Sequence, residues 1–214
     1  MNEKTPEPLP APLVFVVDDE PAIRDSLALL LRSVGLATRT FDSAQSFLDA
    51  FQPVPNSCLL ADVRMPGMSG LELQETLRTR GLKVPVIVLT GHGDIAMAVR
   101  AMKAGAADFI EKPYNDQVLI DSVNRALAAS RSVQGAPPAA DRAGIEARIA
   151  TLSPREREVM QFVIEGKPNK VIATRLGLST RTVEVHRAKV MEKMQAASLA
   201  DLVRMALAAG LSAG

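Results

Sequence analysis

Five side chains that could do chemistry together lie at the ends of apolar runs in this sequence. They are the carboxylates of Asp18, Asp19 and Asp62, the hydroxyl of Thr90 and the ammonium group of Lys112. Short, continuous apolar runs are typical of strands that are buried on both faces of a parallel sheet. Ligand sites in such sheets lie at the carboxyl ends of the strands. We therefore expect a single crevice to gather all five side chains.

These residue types favour the capture of a phosphoryl group. Three carboxylates in one pocket repel each other, so a cation is needed to keep them ionised. Oxygen ligands without His or Cys suit Mg²⁺, which shares its coordination shell with water and phosphate oxygens. Such an ion would hold a phosphoryl donor against Asp62, whose carboxylate could act as the nucleophile. Lys112 could pair with one phosphate oxygen, and Thr90 could donate a hydrogen bond to another.

The elements that must position these residues alternate between strand and helix over residues 13–129. The predicted strands are 13–17, 37–41, a run that ends at Asp62, 85–89 and 108–110. The predicted helices follow them from Pro21, from Ala44, around residues 71–77, from Ile95 and over 115–129. This alternation predicts right-handed βαβ units and an α/β fold with a doubly wound five-stranded parallel sheet.

Four motifs make residues 13–129 resemble the receiver domains of bacterial two-component response regulators, which have a flavodoxin-like fold. The motifs are Asp18-Asp19, Asp62-Val63-Arg64-Met65-Pro66-Gly67, Thr90-Gly91-His92-Gly93, and Phe109 three residues before Lys112-Pro113. The resemblance implies that Asp62 accepts a phosphoryl group from a sensor histidine kinase. It also implies that Mg²⁺ is held by Asp18 or Asp19, or by both, together with Asp62 and the main-chain carbonyl of Arg64.

The same resemblance implies a conformational switch rather than a metabolic enzyme. Thr90 would move toward the phosphoryl group and Phe109 would turn inward, which remodels the face of the fourth helix, fifth strand and fifth helix. The only catalysis expected is magnesium-dependent self-phosphorylation, with Lys112 and Thr90 assisting, and slow self-dephosphorylation. Receivers often have a cis Lys-Pro bond, so Lys112-Pro113 is a candidate for one.

A second, helical module is predicted at residues 148–214, after a linker at 130–147 that is rich in Ala, Ser, Gly and Pro. Ser153, Pro154 and Glu156 form a capping-box pattern, while Gly177 makes a tight turn between two helices and Ser179 caps the second. Two helices joined in this way form a helix-turn-helix, whose second helix can enter the DNA major groove. A small helical bundle with a solvated charged face is the alternative.

The expected DNA contacts are polar or small side chains on the outward side of these two helices. Phosphates could be neutralised by Lys170, Arg181, Arg187 and Lys189, and His186 could also contact a phosphate. Base edges could be met by Glu184, Val185 and Ala188. The remaining predicted contacts are Thr180 and Thr182.

Residues 148–214 resemble the LuxR-type helix-turn-helix module, and three segments carry the resemblance. They are Leu-Ser-Pro-Arg-Glu-Arg-Glu-Val from Leu152, Asn-Lys-Val-Ile-Ala from Asn169 and Ser-Thr-Arg-Thr-Val-Glu-Val-His from Ser179. The pairing with a receiver resembles the NarL/FixJ subfamily, its FixJ-like members in particular. It implies sequence-specific binding to promoter DNA, control of transcription, dimerisation on phosphorylation and a contact with RNA polymerase.

Composition supports two domains and a reducing environment. Residues 1–144 carry 14 Lys and Arg against 17 Asp and Glu, whereas residues 145–214 carry 11 against 7, as a nucleic-acid-binding tail would. The single cysteine, Cys58, excludes a disulfide framework and lies in an apolar run, so we expect a buried, inert thiol. Residues 1–12 contain four prolines and are expected to be a disordered tail. The sequence shows neither a signal peptide nor a membrane-spanning run, so a cytoplasmic protein with no membrane partner is expected.

Other classes of function remain as alternatives to a response regulator. Haloacid-dehalogenase enzymes also use an Asp nucleophile on a doubly wound sheet, but theirs ends the first strand and a second Asp follows two residues later. Here Asp18-Asp19 is followed by Glu20 and Pro21. A module that works through protein contacts alone would not bind duplex DNA. A dinucleotide enzyme is disfavoured, because no Gly-rich fingerprint follows the first strand.

Overall fold

The structure is a computed structural model that describes residues 10–91, 95–131 and 142–211 of the 214-residue chain. Within these ranges it contains five strands: β1 (Leu13–Val17), β2 (Ala37–Phe41), β3 (Ser57–Asp62), β4 (Val86–Thr90) and β5 (Asp108–Glu111). The helices that alternate with them are α1 (Pro21–Ser33), α2 (Ala44–Ala50), α3 (Gly70–Thr79), α4 (Ile95–Lys103) and α5 (Asp116–Arg131). The C-terminal helices are α6 (Arg142–Ala150), α7 (Pro154–Ile164), α8 (Asn169–Leu176), α9 (Thr180–Met194) and α10 (Leu199–Ala208).

Some sequence predictions fall on other parts of the chain. Most of the expected N-terminal tail, the middle of the expected linker, and His92 and Gly93 of the fourth motif lie outside the described residues. Among the helices that are described, none has the length and apolar character needed to cross a bilayer.

The five strands form one sheet in the order β2-β1-β3-β4-β5. The pairs β1–β2, β1–β3 and β3–β4 are parallel, with Val17 opposite both Phe41 and Ala61. Helices connect successive strands, as the strand and helix alternation predicts. The predicted five-stranded, doubly wound α/β sheet is therefore confirmed.

Strand β3 lies at the centre of the sheet, and all six of its residues are buried. This explains why the sequence is apolar along the strand instead of alternating. Cys58 is one of these residues, and burial raises the pKa of its thiol to about 12. The thiol is therefore protonated and inert, as predicted.

Local sequence signals fix the ends of several helices. Pro21 occupies the first turn of α1, where its missing N–H costs nothing. The predicted capping box at the start of α7 forms between Ser153 and Glu156. A second capping box, between Ser69 and Glu72, begins α3 and was not identified from the sequence. Each box satisfies backbone N–H groups that have no partner inside the helix.

Spatial contacts divide the chain into two compact units. Among the described residues, the first contains 10–90 and 110–131, and the second contains 91, 95–109 and 142–211. Helix α4 thus belongs with the C-terminal helices, and it packs against α10. Helix α6 begins at Arg142, inside the region predicted as a linker. Only Ile145 of this helix is buried, and its other apolar residues are mostly small alanines, which explains why no helical period was visible.

The C-terminal helices of the second unit form the predicted helix-turn-helix. Helix α9 packs on both α7 and α8. Helix α8 ends at Gly177, whose φ of +65° is a left-handed conformation that a glycine adopts without steric cost. Ser179 then accepts a hydrogen bond from the backbone N–H of Thr182 and caps α9. The turn therefore allows α9 to start in a new direction directly after α8.

Candidate functional site

The carboxylates of Asp18 and Asp62 share the ammonium group of Lys112. The Lys112 Nζ atom lies 2.9 Å from Asp18 Oδ2 and 2.6 Å from Asp62 Oδ1. The β1–β3 register explains this arrangement, because Asp18 and Asp62 each follow the last paired residues, Val17 and Ala61. Three of the five predicted side chains therefore meet at the carboxyl ends of β1, β3 and β5.

The pKa of Lys112 is raised above its ordinary value by this environment. Burial lowers the pKa, but hydrogen bonds to Asp62 and Asp18 and the charges of both carboxylates outweigh that effect. Lys112 is therefore a fixed positive charge beside two buried carboxylates. The same ammonium group can bind a phosphate oxygen when a phosphoryl group is attached at this place.

The Asp62 carboxylate is oriented from two sides. Its Oδ1 atom accepts from Lys112, and its Oδ2 atom accepts a 2.6 Å hydrogen bond from the backbone N–H of Arg64. Only 9% of the Asp62 side chain is exposed. The two hydrogen bonds hold the carboxylate in a defined orientation, which suits a group that must attack in a defined direction.

The start of α3 packs directly against the backbone of Asp62. A Cβ atom on Gly70 would lie 2.3 Å from the carbonyl oxygen of Asp62, closer than any real contact allows. The backbone N–H of Gly70 also donates to the carbonyl of Val63. Gly70 is therefore a positioning residue that the sequence analysis did not identify. The signal available in the sequence was a glycine beside a helix-capping serine.

Thr90 ends β4 and is 1% exposed. The backbone N–H of Lys112 donates to the carbonyl of Thr90 at 2.6 Å, so the two residues are joined through the sheet. On β5, Phe109 is half-buried between the buried residues Asp108 and Ile110. Its ring is therefore less enclosed than a core phenylalanine. The Lys112-Pro113 bond is cis, as the resemblance implied.

The donor atoms fit a magnesium ion that is bound by only a few carboxylates. Mg²⁺ is commonly bound by one or two carboxylates with water and substrate phosphates completing its shell. Asp18 and Asp62 provide such a pair. In the part of the chain that is described, no three His, Cys, Asp or Glu side chains are grouped to hold one ion. Half-buried Asp19 therefore stays a prediction as a ligand, as does the main-chain carbonyl of Arg64.

The second unit presents most of the predicted DNA contacts on its surface. The exposed members are Lys170 on α8 and Thr180, Arg181, Glu184, Val185, Ala188 and Lys189 on α9. Val185 is 49% exposed, so its methyl groups are accessible for contact with a thymine methyl group.

Three members of the predicted set are only half-exposed. The Thr182 side chain is bonded to Ser179 at the helix cap. The Nδ1 atom of His186 is buried and has no hydrogen-bond partner among the described residues. Arg187 turns toward α8, where its Nη1 atom donates to Asn169 Oδ1 at 2.6 Å. The roles of these three residues as DNA contacts stay predictions.

An ion pair between the buried Glu156 and the exposed Lys193 joins the start of α7 to the end of α9. Lys193 Nζ lies 2.6 Å from Glu156 Oε2, and the same oxygen accepts from the backbone N–H of Ser153. The hydrogen bond from Lys193, followed by that from Ser153, lowers the pKa of Glu156 to about 2. From the sequence, Glu156 was predicted only as a capping residue, because its partner Lys193 is distant in the chain.

The Glu156–Lys193 pair makes a testable prediction about stability and pH. Glu156→Gln should lower the free energy of unfolding by about 1 kcal/mol at neutral pH, since a cap is weakened and an ion pair lost. Because the folded-state pKa is depressed, the contribution of Glu156 is present above pH 4.5 and is lost as pH falls toward 2. The difference between wild type and variant should therefore shrink over that interval in denaturant unfolding curves.

Glu158→Gln is the matched control, because Glu158 is exposed and paired only with Arg155 one turn earlier. Its effect should be near zero at every pH. An equal loss in both variants would contradict a special role for Glu156.

Comparison with known proteins identifies the class of protein. Residues 14–124 match the response regulator receiver domain, and residues 150–206 match the LuxR family of bacterial regulatory proteins. The chain therefore belongs to the response regulators that join a receiver domain to a LuxR-type DNA-binding domain. Within that class it is similar to the transcriptional regulatory protein FixJ of Azorhizobium caulinodans, with 54% identity over 97% of this chain and 96% of the relative. FixJ of Rhizobium meliloti is 52% identical over 92% of this chain and 96% of its own.

Solved structures agree with this family. Full-length FixJ from B. japonicum matches with a TM-score of 0.52 and 44% identity, covering 94% of this chain and 98% of its own. The response regulator StyR matches with a TM-score of 0.55 and 42% identity over 92% and 99% of the two chains. The chain is therefore a response regulator that controls transcription, and it is not a metabolic enzyme.

Proposed function

We propose that Asp62 is the phosphoacceptor of this response regulator. The observation that carries the proposal is the buried carboxylate pair, Asp18 and Asp62, held by the single ammonium group of Lys112. A sensor histidine kinase is the natural donor, since its phosphohistidine has a phosphorus–nitrogen bond that a carboxylate can displace. An enzyme of the haloacid-dehalogenase type is disfavoured, because Asp62 ends the third strand of the chain.

In the proposed transfer, an oxygen of Asp62 attacks the phosphorus atom and forms a phosphorus–oxygen bond. The phosphorus–nitrogen bond breaks, and its electron pair stays on the imidazole of the kinase. Lys112 stabilises the charge on the phosphoryl oxygens, and the Thr90 hydroxyl donates to one of them once the group is attached. Slow self-dephosphorylation follows when water attacks the same phosphorus atom, breaks its bond to the Asp62 oxygen, and releases inorganic phosphate and the free Asp62 carboxylate.

Mg²⁺ would be held by Asp18, Asp62 and the main-chain carbonyl of Arg64, with Asp19 available as a further oxygen ligand. The ion supplies neutralisation of the phosphoryl charge during transfer. Low-molecular-weight phosphodonors should therefore phosphorylate the protein without a kinase when magnesium is present.

We propose that Thr90 and Phe109 couple this chemistry to the rest of the molecule. A hydrogen bond from Thr90 to the phosphoryl group would pull the end of β4 inward. The half-buried ring of Phe109 could then enter the space that Thr90 leaves, which changes the surface formed by α4, β5 and α5. Helix α4 packs against α10 in the second unit, so a change at α4 would alter packing within that unit. The switch is a shift between two populations with different contacts.

The output is proposed to be sequence-specific binding to promoter DNA through α9. Exposed cations at Lys170, Arg181 and Lys189 would contact phosphates. Glu184, Val185 and Ala188 would face base edges in the major groove. Thr180, Thr182 and His186 complete the proposed interface, and Arg187 lies beside it, bonded to Asn169.

We also propose that phosphorylation promotes a homodimer, which would place two copies of α9 on a two-fold-symmetric DNA site. The apolar stripe of α10 is mostly core, since Leu202, Val203 and Ala206 are buried, but Leu207 is 38% exposed. A contact with RNA polymerase and a cytoplasmic location accompany this role.

The experiment that tests the whole proposal measures oligomeric state and duplex affinity with and without Mg²⁺ and beryllofluoride, a phosphoryl mimic. We expect tighter duplex binding and a larger assembly when the mimic is bound. Asp62→Asn should not respond to the mimic. Unchanged affinity and unchanged assembly in the wild-type protein would overturn the proposal.

A further inference from the structure

Arg187 differs from the other basic residues of the recognition helix. Arg181 and Lys189 are exposed, whereas Arg187 is half-buried and points into the junction between α8 and α9. Its Nη1 atom lies 2.6 Å from Asn169 Oδ1, across 18 residues of sequence. A guanidinium group that is already bound in this way is poorly placed to move freely to a DNA phosphate.

Asn169 is the first residue of α8, a position that sets how this helix begins. The residue before it is Pro168, and no side chain caps this end of the helix. The bond from Arg187 therefore ties the first turn of α8 to the middle of α9. Two helices joined by a short turn can still rotate slightly about it, and a partly buried hydrogen bond at this place limits that rotation.

Glu184 lies one turn before Arg187 on α9, at the spacing that places two side chains on the same helix face. Burial lowers the pKa of Arg187, and the negative charge of Glu184 partly offsets that effect. The two side chains are therefore close enough to influence each other. Glu184 itself is exposed, where it can accept a hydrogen bond from a cytosine amino group.

We propose that Arg187 is a positioning residue for DNA sequence recognition. Bound to Asn169, it holds α9 at a fixed angle to α8, and so fixes the direction in which α9 presents Glu184 for base readout. This inference rests on the proposed role of α9 as the recognition helix. Loss of the Arg187–Asn169 bond should therefore change which sequences are preferred, and not simply weaken binding to all of them.

The test uses the full chain loaded with Mg²⁺ and beryllofluoride and a panel of duplexes. The panel contains the best sequence selected from a random pool and single-base-pair variants of it. Arg187→Gln and Asn169→Ala should each reduce the preference for the best sequence by about fivefold. The double variant should lose no more than either single variant. Asn169→Asp keeps an acceptor for the guanidinium group and should retain the preference.

Arg181→Gln is the matched control, because it makes the same chemical change at an exposed position of α9. It should weaken binding to every duplex by a similar factor and reduce the salt-dependence slope by about one. Asn169→Ala removes no charge and should leave that slope unchanged. Circular dichroism and thermal unfolding of each variant establish that the helices remain folded.

Two results would overturn the inference. One is that Arg187→Gln behaves like Arg181→Gln while Asn169→Ala behaves like wild type, because Arg187 would then be a phosphate contact. The other is that both variants keep the full sequence preference. Failure of the proposed function is distinct from both, since the wild-type protein would then bind no duplex selectively.

Discussion

Asp62→Asn is expected to reduce phosphorylation by a small-molecule phosphodonor by at least about a hundredfold. An amide is neutral and is a far poorer nucleophile than a carboxylate. The change also removes half of the negative charge that surrounds Lys112, whose ammonium group contacts both Asp62 and Asp18. The measurement is intact-protein mass spectrometry after incubation with acetyl phosphate and Mg²⁺, with hydroxylamine used to cleave the acyl phosphate.

Asp25→Asn is the control for this experiment. Asp25 is an exposed carboxylate on α1, so its loss should leave the extent of phosphorylation unchanged. The phosphodonor should also raise the duplex affinity of Asp25→Asn but not that of Asp62→Asn. Stoichiometric labelling of Asp62→Asn would show that another residue is the phosphoacceptor.

The residues at the strand ends could be predicted because the relevant rules act over short distances. The apolar run that ends at Asp62 is continuous, as a central strand requires, and β1 and β2 have the predicted bounds. In a parallel sheet, knowing where a strand ends is enough to place its last polar side chain at one edge. This is why Asp18, Asp62 and Lys112 were expected together and are found together.

Contacts between distant side chains could not be predicted in the same way. The pairs Glu156–Lys193 and Arg187–Asn169 depend on how two helices cross, which neither capping patterns nor helical periodicity specify. From the sequence alone, Arg187 was predicted to contact a DNA phosphate. The structure turns it toward α8 because it lies beside the packed side of the helix, near the buried residue Val190.

Gly70 is a further case in which a local pattern was insufficient. Its φ angle is not positive, so no turn requires a glycine at this position. Glycine is required because the carbonyl oxygen of Asp62, at the end of β3, lies directly against the Gly70 backbone. A close backbone contact of this kind leaves no periodic trace in the sequence.

Gly70→Ala should therefore be among the most damaging single substitutions in the first unit. The added Cβ would meet a backbone oxygen at 2.3 Å, and neither group can move without displacing Asp62 or the start of α3. We expect the free energy of unfolding to fall by about 3 kcal/mol. The displaced carboxylate should also slow phosphorylation by about tenfold in the protein that remains folded, because attack depends on orientation.

Gly35→Ala separates this effect from the general cost of replacing a glycine. Gly35 has a φ of +79° and open space around its Cβ position, so the substitution strains the backbone without a clash. It should cost about 1 kcal/mol and leave the phosphorylation rate unchanged. The measurements are denaturant unfolding and the rate of labelling by acetyl phosphate, both at a temperature where each variant is folded. If Gly70→Ala matched Gly35→Ala in both, then α3 would have room to move away from Asp62, and Gly70 would not position the phosphoacceptor.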